Sequence, residues 1–236
     1  MVLVAHGTAE GGNAALNSHV SALAQRRVFA EVAGAALTGG PDPDEVLARI
    51  KAPVTYVVPF FMTDGTAVRD ILYRRLRLEG TVTERDGRRI VLSAPVGLNA
   101  GLADLIVHRA QTLAGDHAIG PETATLVLVG HGSTRNPASR RTTEAHAARA
   151  RQSGVFAAVA TAFLDEAPTL AQVLAALDGP ALAVGLFTED GLHASQDVPP
   201  ILAARTPEVP YLGAIGPDPG MADLILDQVK AADAYS

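Results

Sequence analysis

VFAEVAGAAL at Val28–Leu37 and VFAAVATAFL at Val155–Leu164 are one segment written twice. Around them the rest of the chain repeats in the same order. VLVAHGT at Val2–Thr8 is matched by LVLVGHGST at Leu126–Thr134, and PFFMTDG at Pro59–Gly65 by GLFTEDG at Gly185–Gly191. GLADLIV at Gly101–Val107 is matched by GMADLIL at Gly220–Leu226. The step from His6 to His131 is 125 residues, from Val28 to Val155 127, from Gly65 to Gly191 126, and from Gly101 to Gly220 119. Four matches in one order at nearly one spacing mean two copies of one structural unit. Copies of this kind face each other across a cleft, and differences between them point to the half that carries chemistry.

Each copy alternates short β-branched apolar runs with segments of helical periodicity. In the first copy, strands are expected at Val2–Ala5, Val28–Leu37, Val54–Phe60 and Arg89–Ala94. In the second they are expected at Leu126–Gly130, Phe156–Leu164, Leu182–Phe187 and Tyr211–Ile215. Helical spacing falls between them, for example at Ala14–Arg26, Ala138–Gln152 and Gly220–Ala232. Strands alternating with helices imply parallel sheets covered by helices on both faces. The expected architecture is therefore α/β, with two similar lobes related by internal duplication. Residues 1–115 form an N-terminal lobe and residues 124–236 a C-terminal one, joined by a linker at Ala114–Thr123. Leu78–Arg88 is extra in the first copy, and its Asp86-Gly87 pair marks a turn.

Composition narrows the function. The chain has 236 residues, a net charge of −6, no cysteine and no tryptophan. Without cysteine there is no disulfide, no chain-held iron–sulfur cluster and no thiolate ligand. A negative total and few aromatics argue against nucleic-acid binding. No apolar run approaches the roughly 18 residues of a membrane helix, and no signal-peptide pattern precedes the first strand. The protein is expected to be cytoplasmic, without a membrane or nucleic-acid partner, and a monomer or weak homodimer.

In open α/β sheets ligands bind beyond the C-terminal ends of the strands, where the His-Gly and Asp-Gly turns fall. In the second copy both loops carry a histidine, His131 after the first strand and His193 after the third. Neutral imidazole is a common ligand for divalent first-row metals and accepts protons near neutral pH. The first copy retains His6 but has Ala67 opposite His193, so it is chemically reduced. Glu166, Glu189, Asp190 and Asp197 are the nearby carboxylates. Asp197 also suits a plain helix N-cap. Ser133, Thr134 and Arg135, in GHGSTRNP ahead of a helix, suit carboxylate or phosphate binding, and Arg69 lies at the matching rim of the first copy. Arg140 and Arg141 read as a solvated helix face, and His19, His108, His117 and His146 as surface residues.

LVLVGHGSTRNP, FLDEAPTLAQVL and GLFTEDGLHASQDVP together resemble the CbiX group of class II chelatases, which insert a divalent metal into sirohydrochlorin. That family combines a strand ending in G-H-G-S, a later F-L-E-x-x-x-P-S/T and a G-x-H-x-x-x-D-I/V-P loop. Here Asp165-Glu166 stands where the family has its Glu, and Val198 replaces Ile. The resemblance implies a macrocycle held between lobes, and metal binding and proton removal by His131 and His193 with help from Glu166. It implies Ser133, Thr134, Arg135, Arg69 and His6 as anchors for a carboxylate-rich tetrapyrrole. The metal, Co²⁺, Fe²⁺ or Ni²⁺, is the substrate, and no organic cofactor is implied. The residues leave open whether the assisting carboxylate is Glu166, Asp190 or Asp197. A non-catalytic tetrapyrrole or metal carrier on the same fold is the main competing reading. A histidine phosphatase needs Arg directly before its His, and Ala5 and Gly130 occupy those positions.

Overall fold

A computed structural model describes residues 1–7 and 12–234. The chain divides into two compact units, Met1–Asn99 with Pro217–Ser236, and Ala100–Gly216.

The first unit is built on a five-stranded sheet: β1 (Val2–Ala5), β2 (Ala33–Ala36), β3 (Val54–Phe60), β4 (Val82–Arg85) and β5 (Arg88–Leu92), in the order β2-β1-β3-β5-β4. The helices of its own repeat are α1 (Ala14–Gln25), α2 (Pro43–Arg49) and α3 (Tyr73–Leu76). Val2, Val4, Val57, Leu72 and Leu76 are among the side chains buried in its core. The extra segment of the first copy is the strand β4, which pairs antiparallel with β5. Asp86 (φ 53) and Gly87 (φ 71) make the turn between them, both left-handed as a two-residue hairpin of primed type requires. The sheet is therefore parallel except at this edge.

The second unit has a four-stranded, wholly parallel sheet. Its strands are β6 (Thr125–Gly130), β7 (Ala158–Phe163), β8 (Ala181–Gly185) and β9 (Tyr211–Ala214), in the order β7-β6-β8-β9. Leu126–Val129 are fully buried; a central parallel strand is covered on both faces, hence its unbroken apolar sequence. Around the sheet lie α4 (Leu102–Asp116), α5 (Ala138–Gln152), α6 (Leu170–Ala175) and α7 (Val198–Ala203). In α6 the capping box expected of a Thr-x-x-Gln sequence is made, with Thr169 and Gln172 satisfying each other's backbone N–H groups.

The repeat boundary and the packing boundary are distinct. α4 closes the first repeat in sequence but packs on α5, β8 and β9. The matching α8 (Met221–Asp233) closes the second repeat and packs on α1, β3 and β5. Each unit thus takes its last helix from the other repeat, so the 1–115 and 124–236 division follows the sequence repeat and crosses these units.

Two expectations are corrected by burial. The apolar run Val28–Leu37 is a strand only over Ala33–Ala36, because β1 offers four residues to pair with, and Val28 is 61% exposed. His19 and His146 are buried, not surface residues. They occupy equivalent places in α1 and α5, and His19 meets the edge of the Phe60 ring at 5.2 Å between centroids. Among the described residues no helix is long and apolar enough to cross a membrane.

Candidate functional site

In each sheet the first and third strands of the repeat are neighbours and the strand order reverses between them. Loops leaving the two strands at that point diverge to opposite faces and leave a crevice at their carboxyl ends. In the second unit His131 directly follows β6, and His193 follows β8 at the start of a π-type turn, His193–Asp197. Their Nε2 atoms lie 3.2 Å apart. The rings meet edge to face, with centroids 4.5 Å apart and planes at 79°. Sixty-two residues of chain separate them.

The partners of the other ring nitrogens fix the tautomers. His131 Nδ1 lies 3.0 Å from the Gly132 carbonyl oxygen and 3.2 Å from Asp165 Oδ2. Both are acceptors, so Nδ1 carries the hydrogen and donates. His193 Nδ1 likewise donates to Asp197 Oδ2 at 2.7 Å. A π-type turn brings residues four apart nearly into line, which suits this i, i+4 contact. In the neutral rings both Nε2 lone pairs then face one another across 3.2 Å. Two lone pairs at that distance repel unless a cation, a proton or a metal ion, sits between or beside them. A carboxylate on the far nitrogen of each imidazole is the usual support of a metal-binding histidine.

The loop that presents His131 is locked by its own polar groups. The His131 carbonyl accepts the N–H groups of Leu164 (3.1 Å) and Asp165 (3.0 Å). Gly132 takes φ +79, and a Cβ there would lie 2.8 Å from Glu166 Cγ and 2.9 Å from Phe163 Cβ. Only glycine fits this approach. Ser139 Oγ accepts from Gly132 N at 3.0 Å, and Ser133 Oγ accepts from the N–H groups of Arg135 and Asn136 at 3.2 Å each.

Glu166 does not sit on a histidine nitrogen as expected of an assisting carboxylate. One oxygen accepts the Ser133 N–H at 3.0 Å. The other accepts Arg140 Nη2 at 2.7 Å and Nε at 3.1 Å. Its side chain is 11% exposed. Burial pushes its pKa up, but the hydrogen bonds from Arg140 and Ser133 and the nearby guanidinium charge outweigh this and hold it below its ordinary value. Asp190 is engaged elsewhere, accepting Ala214 N at 2.9 Å at the edge of β9. Asp197 makes no helix cap with its side chain; its carboxylate is on His193. The carboxylates on the two imidazoles are thus Asp165 and Asp197.

Asp165 and Arg140 are the residues sequence reading missed. The signal for both lay in the repeat. In the register that pairs His19 with His146 and Arg27 with Gly154, Thr38 stands opposite Asp165, Gly39 opposite Glu166 and Asn13 opposite Arg140. Ala67 and Ile71 stand opposite His193 and Asp197. The first copy has the same π-type turn, Ala67–Leu72, without these groups.

Other expected residues are dispersed. Thr134 and Arg135 are exposed on the loop beyond His131. In the first unit, among the described residues, the His6 ring meets the Gly7 carbonyl alone, at 3.2 Å, and Thr8 lies outside the described residues. Arg69 is paired with Asp64 at 2.6 Å and borders a cleft of about 360 Å³ with Tyr73, Ser93 and Leu98. That cleft contains no histidine. Among the described residues no group of three or more His, Asp or Glu is arranged to hold a metal. The His131–His193 pair therefore offers two nitrogens and leaves the remaining coordination positions of an ion open.

The CbiX family model matches residues 1–113 and 125–232. A Halobacterium salinarum protein described as a probable sirohydrochlorin cobaltochelatase is 29% identical, across 99% of this chain and 91% of its own length. The solved structure of CbiX, the terminal enzyme for siroheme biosynthesis in denitrifying bacteria, aligns with TM-score 0.75 and 27% identity over 98% of both chains. A multi-domain Deinococcus radiodurans protein with structural similarity to chelatases aligns with TM-score 0.83 and 24% identity. That match covers 96% of this chain and 54% of the other, so the chain spans about half of the larger protein.

Proposed function

The chain belongs to the CbiX family, and from that premise we propose that it inserts a divalent metal ion into sirohydrochlorin, with His131 and His193 as the residues that deliver the metal. The observation that carries this reading is the facing pair of Nε2 atoms at 3.2 Å, each imidazole tied to a carboxylate on its other side.

A metal that is to be handed on must be held firmly enough to lose water and loosely enough to leave. Two imidazole nitrogens meet that condition better than a full set of protein ligands, since the macrocycle supplies four nitrogens of its own. On insertion M²⁺ enters the ring and two pyrrole N–H protons leave, so charge balances and no electron moves. The reaction needs no organic cofactor on this account. Once the metal has moved, the facing Nε2 atoms are free to share one released proton, and the two protons pass on in turn. Asp165 and Asp197 then stabilise the imidazolium charge before the protons pass to water.

On this reading the second copy carries the chemistry. Exposed Thr134 and Arg135 are the anchors nearest in the chain to His131 for the carboxylates of the macrocycle. Ser133 serves through its backbone N–H and its capping hydroxyl rather than as a free side-chain donor. Co²⁺ is the first metal to test, given the cobaltochelatase description of the Halobacterium relative. The test is the rate at which the sirohydrochlorin absorption spectrum changes with Co²⁺, Fe²⁺ or Ni²⁺, with and without protein. Acceleration dependent on both histidines is expected. Tight pigment binding with no acceleration would make the protein a carrier instead.

A further inference from the structure

We propose that Arg140 and Glu166 form a positioning pair that sets both His131 and its carboxylate partner Asp165, a role that rests on the chelatase reading above. Glu166 has the type of side chain expected to exchange protons, but its surroundings fit another task. One carboxylate oxygen takes the backbone N–H of Ser133, two residues beyond His131. The other takes two nitrogens of the Arg140 guanidinium, and Arg140 also donates to the Ala167 carbonyl. Arg140 lies in turn 4.6 Å above the Phe163 ring, at the end of β7.

One ion pair therefore ties together three pieces of chain: the His131 loop, the start of α5, and the Asp165–Ala167 turn. Asp165 is joined covalently to Glu166 and also holds the His131 carbonyl through its N–H. Fixing Glu166 fixes the direction from which the Asp165 carboxylate reaches His131 Nδ1. A half-exposed pair on a surface contributes little by itself. This one places two guanidinium nitrogens on a single carboxylate oxygen, is partly buried and is bound to backbone at both ends, so its charge-assisted hydrogen bonds fix direction.

The first copy supplies an internal comparison. There Asn13 stands for Arg140 and Gly39 for Glu166, and the Asn13 amide donates instead to the Gly39 carbonyl at 3.1 Å. That contact still closes the loop onto the helix. The ion pair is absent from the copy that also lacks counterparts of Asp165, His193 and Asp197. Loop closure alone is thus met by a neutral contact, and the charged pair accompanies the paired histidines.

The experiment combines Co²⁺ titration of the resting protein with steady-state chelation by Arg140→Gln, Arg140→Lys, Glu166→Gln and the Arg140→Gln/Glu166→Gln double variant. Arg140→Gln is expected to weaken Co²⁺ binding and lower kcat by about 10- to 100-fold, the range for residues that orient metal-binding histidines. KM for sirohydrochlorin should stay unchanged. Arg140→Lys should recover part of the loss, and the double variant should be no worse than the more damaged single one. Wild-type Co²⁺ affinity and kcat in Arg140→Gln would overturn the proposal. So would a Glu166→Gln variant that loses turnover at unchanged Co²⁺ affinity, since Glu166 would then act on the reactants directly. If Arg140→Gln fails to fold, judged by its melting curve, Arg140→Lys and Glu166→Gln decide the matter by the same readouts. A wild-type protein that binds Co²⁺ through both histidines but never metallates the ring would refute the chelatase reading, while the Co²⁺ titrations would still test the pair.

Discussion

His131 and His193 present Nε2 to Nε2 at 3.2 Å, while His193 donates its Nδ1 hydrogen to Asp197 at 2.7 Å and His131 donates its own to the Gly132 carbonyl at 3.0 Å, with the Asp165 carboxylate 3.2 Å away. The arrangement is nearly symmetric, although one histidine ends a strand-to-loop turn and the other begins a π-type turn. With both donors committed outward, the two lone pairs have only each other or a cation to face.

The first prediction concerns the pair itself. His131→Ala and His193→Ala should each slow metal insertion by about 10²–10⁴-fold, the range for loss of a positioned proton-transfer group. His6→Ala should cost much less, because among the described residues His6 meets no acidic or imidazole partner in its unit. Initial rates of sirohydrochlorin metallation measure all three, with circular dichroism as the folding control. Equal losses from all three would refute the assignment of chemistry to the second copy.

A second prediction separates the aspartates. Asp197→Asn should weaken Co²⁺ binding by about 10- to 100-fold, read by titration of the resting protein. Asp165→Asn should be milder, because the His131 Nδ1 hydrogen bond goes to the Gly132 carbonyl and keeps the tautomer without Asp165. A larger effect at Asp165 than at Asp197 would contradict the hydrogen-bond pattern.

Backbone conformation gives a third. Gly132→Ala introduces a residue at φ +79 with a Cβ 2.8 Å from Glu166 Cγ. Gly154→Ala meets a similar φ of +67 but open space. The left-handed conformation costs each about 1–2 kcal/mol, and Gly132→Ala adds the clash. Its melting temperature and activity should both fall, whereas Gly154→Ala should lose only a little stability. Similar melting temperatures for the two would remove the argument for close approach at Gly132.

The pH dependence of stability gives a fourth. Glu166 is held below its ordinary pKa by Arg140 and Ser133 despite the opposing effect of burial. A carboxyl lowered in the folded state contributes stability that is fully present above its unfolded value and is lost as pH falls through the folded one. The melting-temperature deficit of Glu166→Gln relative to the parent should therefore be largest near neutral pH and shrink on acidification below the ordinary carboxylate range. Melting curves at stepped pH check this; a deficit that grows towards acid would reverse the assigned sign.

Leu192 yields a fifth. It is 66% exposed directly beside His193, where on the chelatase reading it can pack against the apolar face of a bound macrocycle. Leu192→Asp should raise KM for the tetrapyrrole several-fold, with Co²⁺ affinity of the resting protein unchanged. An unchanged KM would leave Leu192 without a role at the site.

Much of this was readable from the chain because the repeat provides its own control. The matched segments gave two parallel α/β sheets, and Ala67 opposite His193 singled out the second copy. Asp86-Gly87 signalled the turn, but the four-residue strand Val82–Arg85 ahead of it was not read, and with it the antiparallel edge that a two-residue turn between strands implies. The burial of His19 and His146 was missed because helical spacing alone does not say which face meets the sheet.

What sequence determined by itself was the duplication, the alternation of strand and helix, and the histidines at the ends of the first and third strands. These rest on local periodicity and chain order. The division of labour among carboxylates belonged to the tertiary structure. Asp165 and Glu166 are adjacent and chemically alike, yet one reaches the His131 ring and the other is held by Arg140 and the Ser133 N–H. Likewise, Arg140 becomes a partner of Glu166 only when α5 and the end of β7 come together. Hydrogen bonds act over about 3 Å and depend on direction, so which acid meets which base is decided by packing between segments distant in the chain.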